Sequence, residues 1–70
     1  MPTLRVEMFA GRTVERKRAL ARELTDATVR ALGVPARAVE VLFFDIERSD
    51  WAVGGTLCSD PPAAPTPQQT

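Results

Sequence analysis

The chain has 70 residues, is 44% hydrophobic and carries nine basic and nine acidic side chains, so its net charge is zero. This length allows one domain at most, and a neutral chain offers no general electrostatic footprint for nucleic acid. Cys58 is the only cysteine and histidine is absent, which excludes an intrachain disulfide and a zinc-like ligand cluster.

A chain this small usually needs stabilisation beyond its own core, from disulfides, a bound metal or oligomerisation. Neither a disulfide nor a metal site is available here. Oligomerisation is the remaining source of stabilisation, so we expect self-assembly. The N-terminus does not show the basic region followed by an apolar region that is typical of a signal peptide. No apolar run is long enough for a membrane-spanning helix. Together with the free thiol of Cys58, this predicts a cytoplasmic protein that does not enter a membrane.

The first predicted element is a strand over residues 3–9, TLRVEMF. Apolar and other side chains alternate there with a period of two, which is typical of a strand with one buried face. The predicted buried face carries Leu4, Val6 and Met8, and the opposite face carries Thr3, Arg5, Glu7 and Phe9. The segment Ala10-Gly11-Arg12 ends the strand.

A helix is predicted over residues 14–32, with Thr13 as its N-cap. Its apolar stripe is formed by Leu20, Leu24, Ala27 and Ala31. The basic side chains are expected on the solvated face, and they are Arg16, Lys17, Arg18, Arg22 and Arg30. Gly33 follows the helix end and Pro35 prevents its continuation.

The second strand is predicted over residues 38–46, AVEVLFFDI, and both of its faces are apolar. Such a strand is typically central and covered on each side. Glu40 falls on one of these apolar faces, where a carboxylate needs a partner or a wet cavity. The alternative is that Glu40 stands at the strand end and reaches solvent.

Gly54-Gly55 then predicts a turn, in a small hairpin or in an arm that reaches a neighbouring chain. Residues 59–70 hold most of the prolines and are predicted to be a disordered tail, which leaves a domain over residues 1–58. The fold class is therefore α/β (α+β), a single β-α-β unit with a short C-terminal hairpin. The strands are expected to be parallel with a right-handed crossover, and another copy of the chain completes the sheet.

These features together resemble the 4-oxalocrotonate tautomerase family of the tautomerase superfamily. Pro2 opens the first strand, Gly11-Arg12 closes it, one crossover helix follows, and Trp51 precedes Gly54-Gly55. The resemblance covers roughly residues 2–58. No single piece is specific, but the order, the spacing and the total length agree.

The resemblance implies that Met1 is removed and that the amine of Pro2 is the catalytic base. A free α-amino group has an unperturbed pKa of about 7.7–8.0, and an apolar pocket or a nearby cation lowers that pKa. The implied reaction moves a proton next to a carbonyl group of a small carboxylate substrate, without cofactor or metal. The implied assembly is a hexamer, a trimer of dimers with sites built across subunits.

Two further residues match the pattern of the family. Arg12 matches the first catalytic arginine, whose planar guanidinium grips a carboxylate of the substrate. Trp51 matches an aromatic wall that keeps water out of the pocket. The structural alternatives are a surface arginine and a core or interface tryptophan.

Glu40 departs from the family pattern, which has a second arginine at the matching position. A dicarboxylate should then bind less well, and the enolate loses an obvious stabilising donor. Arg37 and Arg48 flank the second strand and are candidates to substitute for it. Monocarboxylate enols such as phenylenolpyruvate become as plausible as 2-hydroxymuconate.

Two other functions stay open from the sequence. Related enzymes hydrate or dehalogenate unsaturated acids, with a protonated N-terminal proline as the acid and a carboxylate that activates water. Near the position of that carboxylate, only Asp50 is acidic here. The other alternative is a non-catalytic oligomeric binding domain that keeps the fold.

Overall fold

The computed structural model describes residues 1–61. The regular elements in chain order are β1 (Thr3–Phe9), α1 (Val14–Leu32), β2 (Glu40–Ile46), β3 (Ala52–Val53) and β4 (Thr56–Leu57). One-turn 3-10 helices at Ala36–Ala38 and Arg48–Asp50 flank β2 on either side. The predicted β-α-β unit with a short C-terminal hairpin is confirmed.

β1 and β2 form a two-stranded parallel sheet, as the sequence predicts. The register runs from Thr3 opposite Glu40 to Phe9 opposite Ile46. In the described residues no third strand joins this sheet, so β1 and β2 each keep one open edge.

Helix α1 begins and ends where its capping residues predict. The Oγ1 atom of Thr13 accepts a hydrogen bond from the backbone N–H of Arg16 at 3.2 Å. Gly33 adopts a left-handed backbone with φ of 72°, and its N–H donates to the carbonyl of Val29 at 2.9 Å. Glycine suits this position because it has no Cβ to clash there.

The helix packs on one face of the sheet, where Leu20 and Leu24 are half-buried. Two expectations for this helix need correction. Lys17 is not solvated like its basic neighbours, because its Nζ pairs with the carboxylate of Asp45 on β2. Ala27 and Ala31 are exposed, because they line an open groove that no other described residue fills.

β2 begins at Glu40, two residues later than predicted. The N–H of Ala38 donates to Pro35 and that of Val39 to Ala36, each at 3.0 Å, in the turn before the strand. These backbone donors are therefore not available to the sheet. The prediction of a covered central strand also fails for a single protomer, since Leu42 of β2 is 44% exposed.

β3 and β4 form the predicted hairpin, with antiparallel pairing. Gly54 and Gly55 form its turn with φ of 62° and 86°, the positive values that a tight hairpin turn requires. The N–H of Cys58 donates to the carbonyl of Trp51 at 2.8 Å and closes the hairpin at its base. The predicted disordered tail, residues 59–70, lies outside the described residues from position 62 onward.

No residue among the described positions 1–61 is fully buried. The large apolar side chains that stay exposed are Met1, Val14, Leu32, Leu42, Val53 and Leu57. One protomer therefore leaves both the sheet and the helix only partly covered.

Candidate active site

Pro2 lies directly before β1, on the rim of an apolar groove between that strand and the second half of α1. Its carbonyl accepts a hydrogen bond from the N–H of Glu40 at 3.0 Å. The groove has a volume of about 480 Å³ and is lined by Pro2, Thr3, Leu4, Leu24, Ala27, Thr28, Ala31 and Leu32. Met1 precedes Pro2 and is 81% exposed, so it makes little contact with the fold.

Glu40 lies beside Pro2, at the start of the neighbouring strand. Its Oε1 accepts a hydrogen bond from the hydroxyl of Thr3 at 3.5 Å, and the residue is exposed. The carboxylate reaches solvent in the protomer, as the alternative interpretation of this residue expects. It also puts a negative charge at the Pro2 end of the sheet.

Arg12 and Trp51 lie at the other end of β1, and each contacts Phe9. The Nη1 atom of Arg12 donates to the carbonyl of Phe9 at 3.2 Å. The rings of Phe9 and Trp51 have centroids 4.8 Å apart and are tilted by 53°. An aromatic pair at this distance packs favourably.

Arg48 joins the same group, which we call the Phe9 cluster: Phe9, Arg12, Arg48 and Trp51. The guanidinium carbon of Arg48 lies 4.0 Å from the centroid of the Phe9 ring, a cation–π contact. The sequence pattern predicts no role for Phe9, although an aromatic residue on the polar face of a strand, close before Gly-Arg, is a signal that could have pointed to it.

The structure brings the predicted site residues together in two groups that lie far apart. Pro2 and Glu40 are at one end of β1, and Arg12 and Trp51 are at the other. Seven residues of strand separate them, which is about 23 Å at the usual rise per residue. Within one protomer, Pro2 and Arg12 cannot contact the same small substrate.

A comparison with known protein families decides which family this fold represents. The model of the family described as "Tautomerase enzyme" matches residues 2–60. The chain belongs to the tautomerase family. The match begins at Pro2, the residue at the head of β1, and confirms the resemblance noted in the sequence.

Individual relatives agree with this assignment. A protein of Ralstonia nicotianae, named as a probable tautomerase, is 40% identical over 65 residues that cover 93% of this chain and all of that protein. The crystal structure of a 4-oxalocrotonate tautomerase homologue is 41% identical, covers 90% of this chain and 100% of the other, and superposes with a TM-score of 0.81.

A third relative, a heterohexameric 4-oxalocrotonate tautomerase from Chloroflexus aurantiacus, is 35% identical with a TM-score of 0.81. It covers 86% of this chain and 97% of that structure. The protein is therefore an isomerase of the 4-oxalocrotonate tautomerase kind.

Residues 1–61 of this tautomerase carry acidic side chains and one cysteine. These acidic and cysteine side chains form no group of three that suits a metal ion. None of the helices described is long and apolar enough to cross a bilayer. The two ends of β1 thus carry Pro2 and the Glu40 carboxylate at one end and the two guanidinium groups of the Phe9 cluster at the other.

Proposed function

We propose that this tautomerase catalyses keto–enol proton transfer on a small 2-oxo or 2-hydroxy unsaturated carboxylic acid, with Pro2 as the general base. The observation that carries the proposal is the position of Pro2, at the head of β1 and on the rim of an apolar groove. The family match, which begins at the same residue, supports it.

Removal of Met1 turns the nitrogen of Pro2 into a secondary amine. The neutral amine takes a proton from the enol oxygen, or from a carbon next to the carbonyl, and becomes an ammonium. It then returns the proton to another carbon of the substrate, so no oxidant or reductant is needed. The apolar side chains of the groove disfavour the ammonium, whereas the Glu40 carboxylate beside Pro2 favours it. A general base is most effective when its pKa lies near the operating pH.

The site requires a second copy of the chain because Arg12 and Trp51 lie too far from Pro2 in the same protomer. The open edge of β1 allows two copies to pair with their β1 strands antiparallel about a two-fold axis. Pro2 of one copy then faces the Phe9 cluster of the other. We propose a homo-hexamer, arranged as a trimer of dimers, in line with the hexameric relative.

In this arrangement, the guanidinium of Arg12 holds a carboxylate of the substrate by charge-assisted hydrogen bonds. Trp51, packed on Phe9, walls the pocket and limits the access of water. The proposed substrate is a small carboxylate, with no cofactor, metal or nucleic acid, and the proposed location is the cytoplasm.

The direct test compares two synthetic chains that differ only in Met1. Ketonisation of phenylenolpyruvate and of 2-hydroxymuconate is followed by ultraviolet absorbance, after circular dichroism and size measurements show that both chains fold and assemble alike. We expect the chain without Met1 to turn over at least one substrate, with kcat/KM about 10²–10⁴-fold above the chain that keeps Met1, because general-base catalysis contributes about this much. Equal rates would rule out the Pro2 amine as the base.

A further inference from the structure

Two arginines converge on one aromatic side chain at the end of β1. Arg12 contacts the carbonyl of Phe9 at 3.2 Å, and Arg48 lies over its ring at 4.0 Å. The carbonyl and the ring are separated by the length of the Phe9 side chain. Both guanidinium groups therefore lie against Phe9, one at its backbone carbonyl and one at its ring.

Both guanidinium groups keep most of their hydrogen-bond donors free. Among the described residues Arg12 donates one hydrogen bond, through Nη1, and Arg48 contacts the face of a ring rather than donating through its N–H groups. The ion pairs among residues 1–61 are Lys17–Asp45 and Arg18–Glu15, so neither arginine of the cluster pairs with a described carboxylate. Two exposed guanidinium groups with free donors, each held at Phe9, suit the binding of anionic oxygens.

The charges of the two strand ends differ in sign. Glu40 makes the Pro2 end negative, whereas Arg12 and Arg48 make the Phe9 cluster positive. In the shared site, where the Pro2 end of one copy faces the Phe9 cluster of the other, a dicarboxylate is repelled by Glu40 and attracted by the two guanidinium groups. The cluster has two guanidinium groups for two carboxylates.

We infer that Arg48 is a specificity-determining residue that binds the second carboxylate of a dicarboxylate substrate, beside Arg12. The inference rests on the proposed function and names the substrate class of that site. It also decides between the two arginines that the sequence left open. Arg48 is held at Phe9 beside Arg12, whereas Arg37 lies in the turn before β2 and has no hydrogen bond or ion pair with another described side chain.

The test uses two matched ligands that carry no enol. Muconate is a six-carbon diene with two carboxylates, and sorbate has the same skeleton with one. Trp51 is the only tryptophan of the chain and packs on Phe9, so its fluorescence reports ligand at the cluster. Each ligand is titrated into the assembled protein without Met1, and isothermal titration calorimetry checks the dissociation constants.

The variants are Arg48→Gln, Arg48→Lys, Arg37→Gln and Arg22→Gln. Arg22 is an exposed helix residue, so its variant controls for the loss of one positive charge. We expect Arg48→Gln to weaken muconate binding about 10–150-fold, as for the loss of a hydrogen-bonded charged group, and to change sorbate binding by less than about threefold. Arg48→Lys keeps the charge without the planar fork and should fall between the two.

Several results would overturn the inference. The first is an unchanged muconate affinity in Arg48→Gln, and the second is an equal loss of affinity for muconate and sorbate in that variant. The others are a larger loss of muconate affinity in Arg37→Gln and no muconate binding by the protein without Met1 that carries no substitution. Because the ligands carry no enol, binding is read independently of proton transfer. A protein that binds muconate through Arg48 but fails to ketonise any substrate would retain the dicarboxylate site and lose the proposed function.

Discussion

Glu40 places a negative charge beside Pro2. Reversing that charge tests how Glu40 affects the turnover of a dicarboxylate substrate. Because Glu40 is exposed, Glu40→Arg should leave the fold intact while it removes repulsion of a second carboxylate. We expect kcat/KM for 2-hydroxymuconate to rise about tenfold, equivalent to about 1.4 kcal/mol, with a much smaller change for phenylenolpyruvate.

Glu23→Arg is the matched control, since Glu23 is an exposed helix residue and the same charge is reversed. Steady-state kinetics with both substrates give the comparison. If Glu40→Arg changes neither kcat nor KM for either substrate, Glu40 does not lie at the site.

At the residue scale, the sequence names Pro2, Arg12 and Trp51 as site residues through the family resemblance but gives no sign of their contacts. Arg12, Trp51 and Arg48 all contact Phe9. These contacts depend on how the loops after β1 and β2 fold back. The alternation of the strand puts Phe9 on a polar face and gives no sign of these contacts.

At the scale of elements, the N-cap of α1 provides a local test of stability. Thr13→Ala removes the acceptor for the N–H of Arg16 and should lower the free energy of unfolding by about 1 kcal/mol. Thr13→Ser keeps the hydroxyl and should lie close to the parent. Urea unfolding at one fixed protomer concentration measures both, and an equal loss in the two variants would mean that the cap hydrogen bond contributes nothing.

The boundaries of the elements were predictable where one local signal dominates. The alternation of residues 3–9 fixes β1, and Thr13 and Gly33 bound α1. The start of β2 was not predictable by the same means, because the turn after Pro35 competes with the sheet for the N–H groups of Ala38 and Val39. Periodicity alone does not resolve that competition.

At the scale of the whole molecule, the protomer is incomplete in two ways. No described residue is fully buried, and both strands of the main sheet have an open edge. The sequence indicated this, since two strands and one helix cannot cover their own apolar faces. The strand predicted over residues 3–9 is enough to put Pro2 and Arg12 about 23 Å apart. The sequence could not show that Arg12, Arg48 and Trp51 all lie against Phe9, because those contacts depend on the loops after β1 and β2.

The most direct test of a site shared between copies mixes two inactive chains. One chain keeps Met1 and so lacks the free amine, but it has an intact Phe9 cluster. The other lacks Met1 and carries Arg12→Gln. The chains are unfolded together in equal amounts, refolded, and assayed with 2-hydroxymuconate.

In a shared site, the free amine of one chain meets Arg12 of the other. With random pairing of the two chains in two-fold dimers, we expect about a quarter of the parent activity from the mixture and almost none from either chain alone. A mixture that stays inactive, although it assembles like the parent, would contradict the account and place the whole site within one protomer.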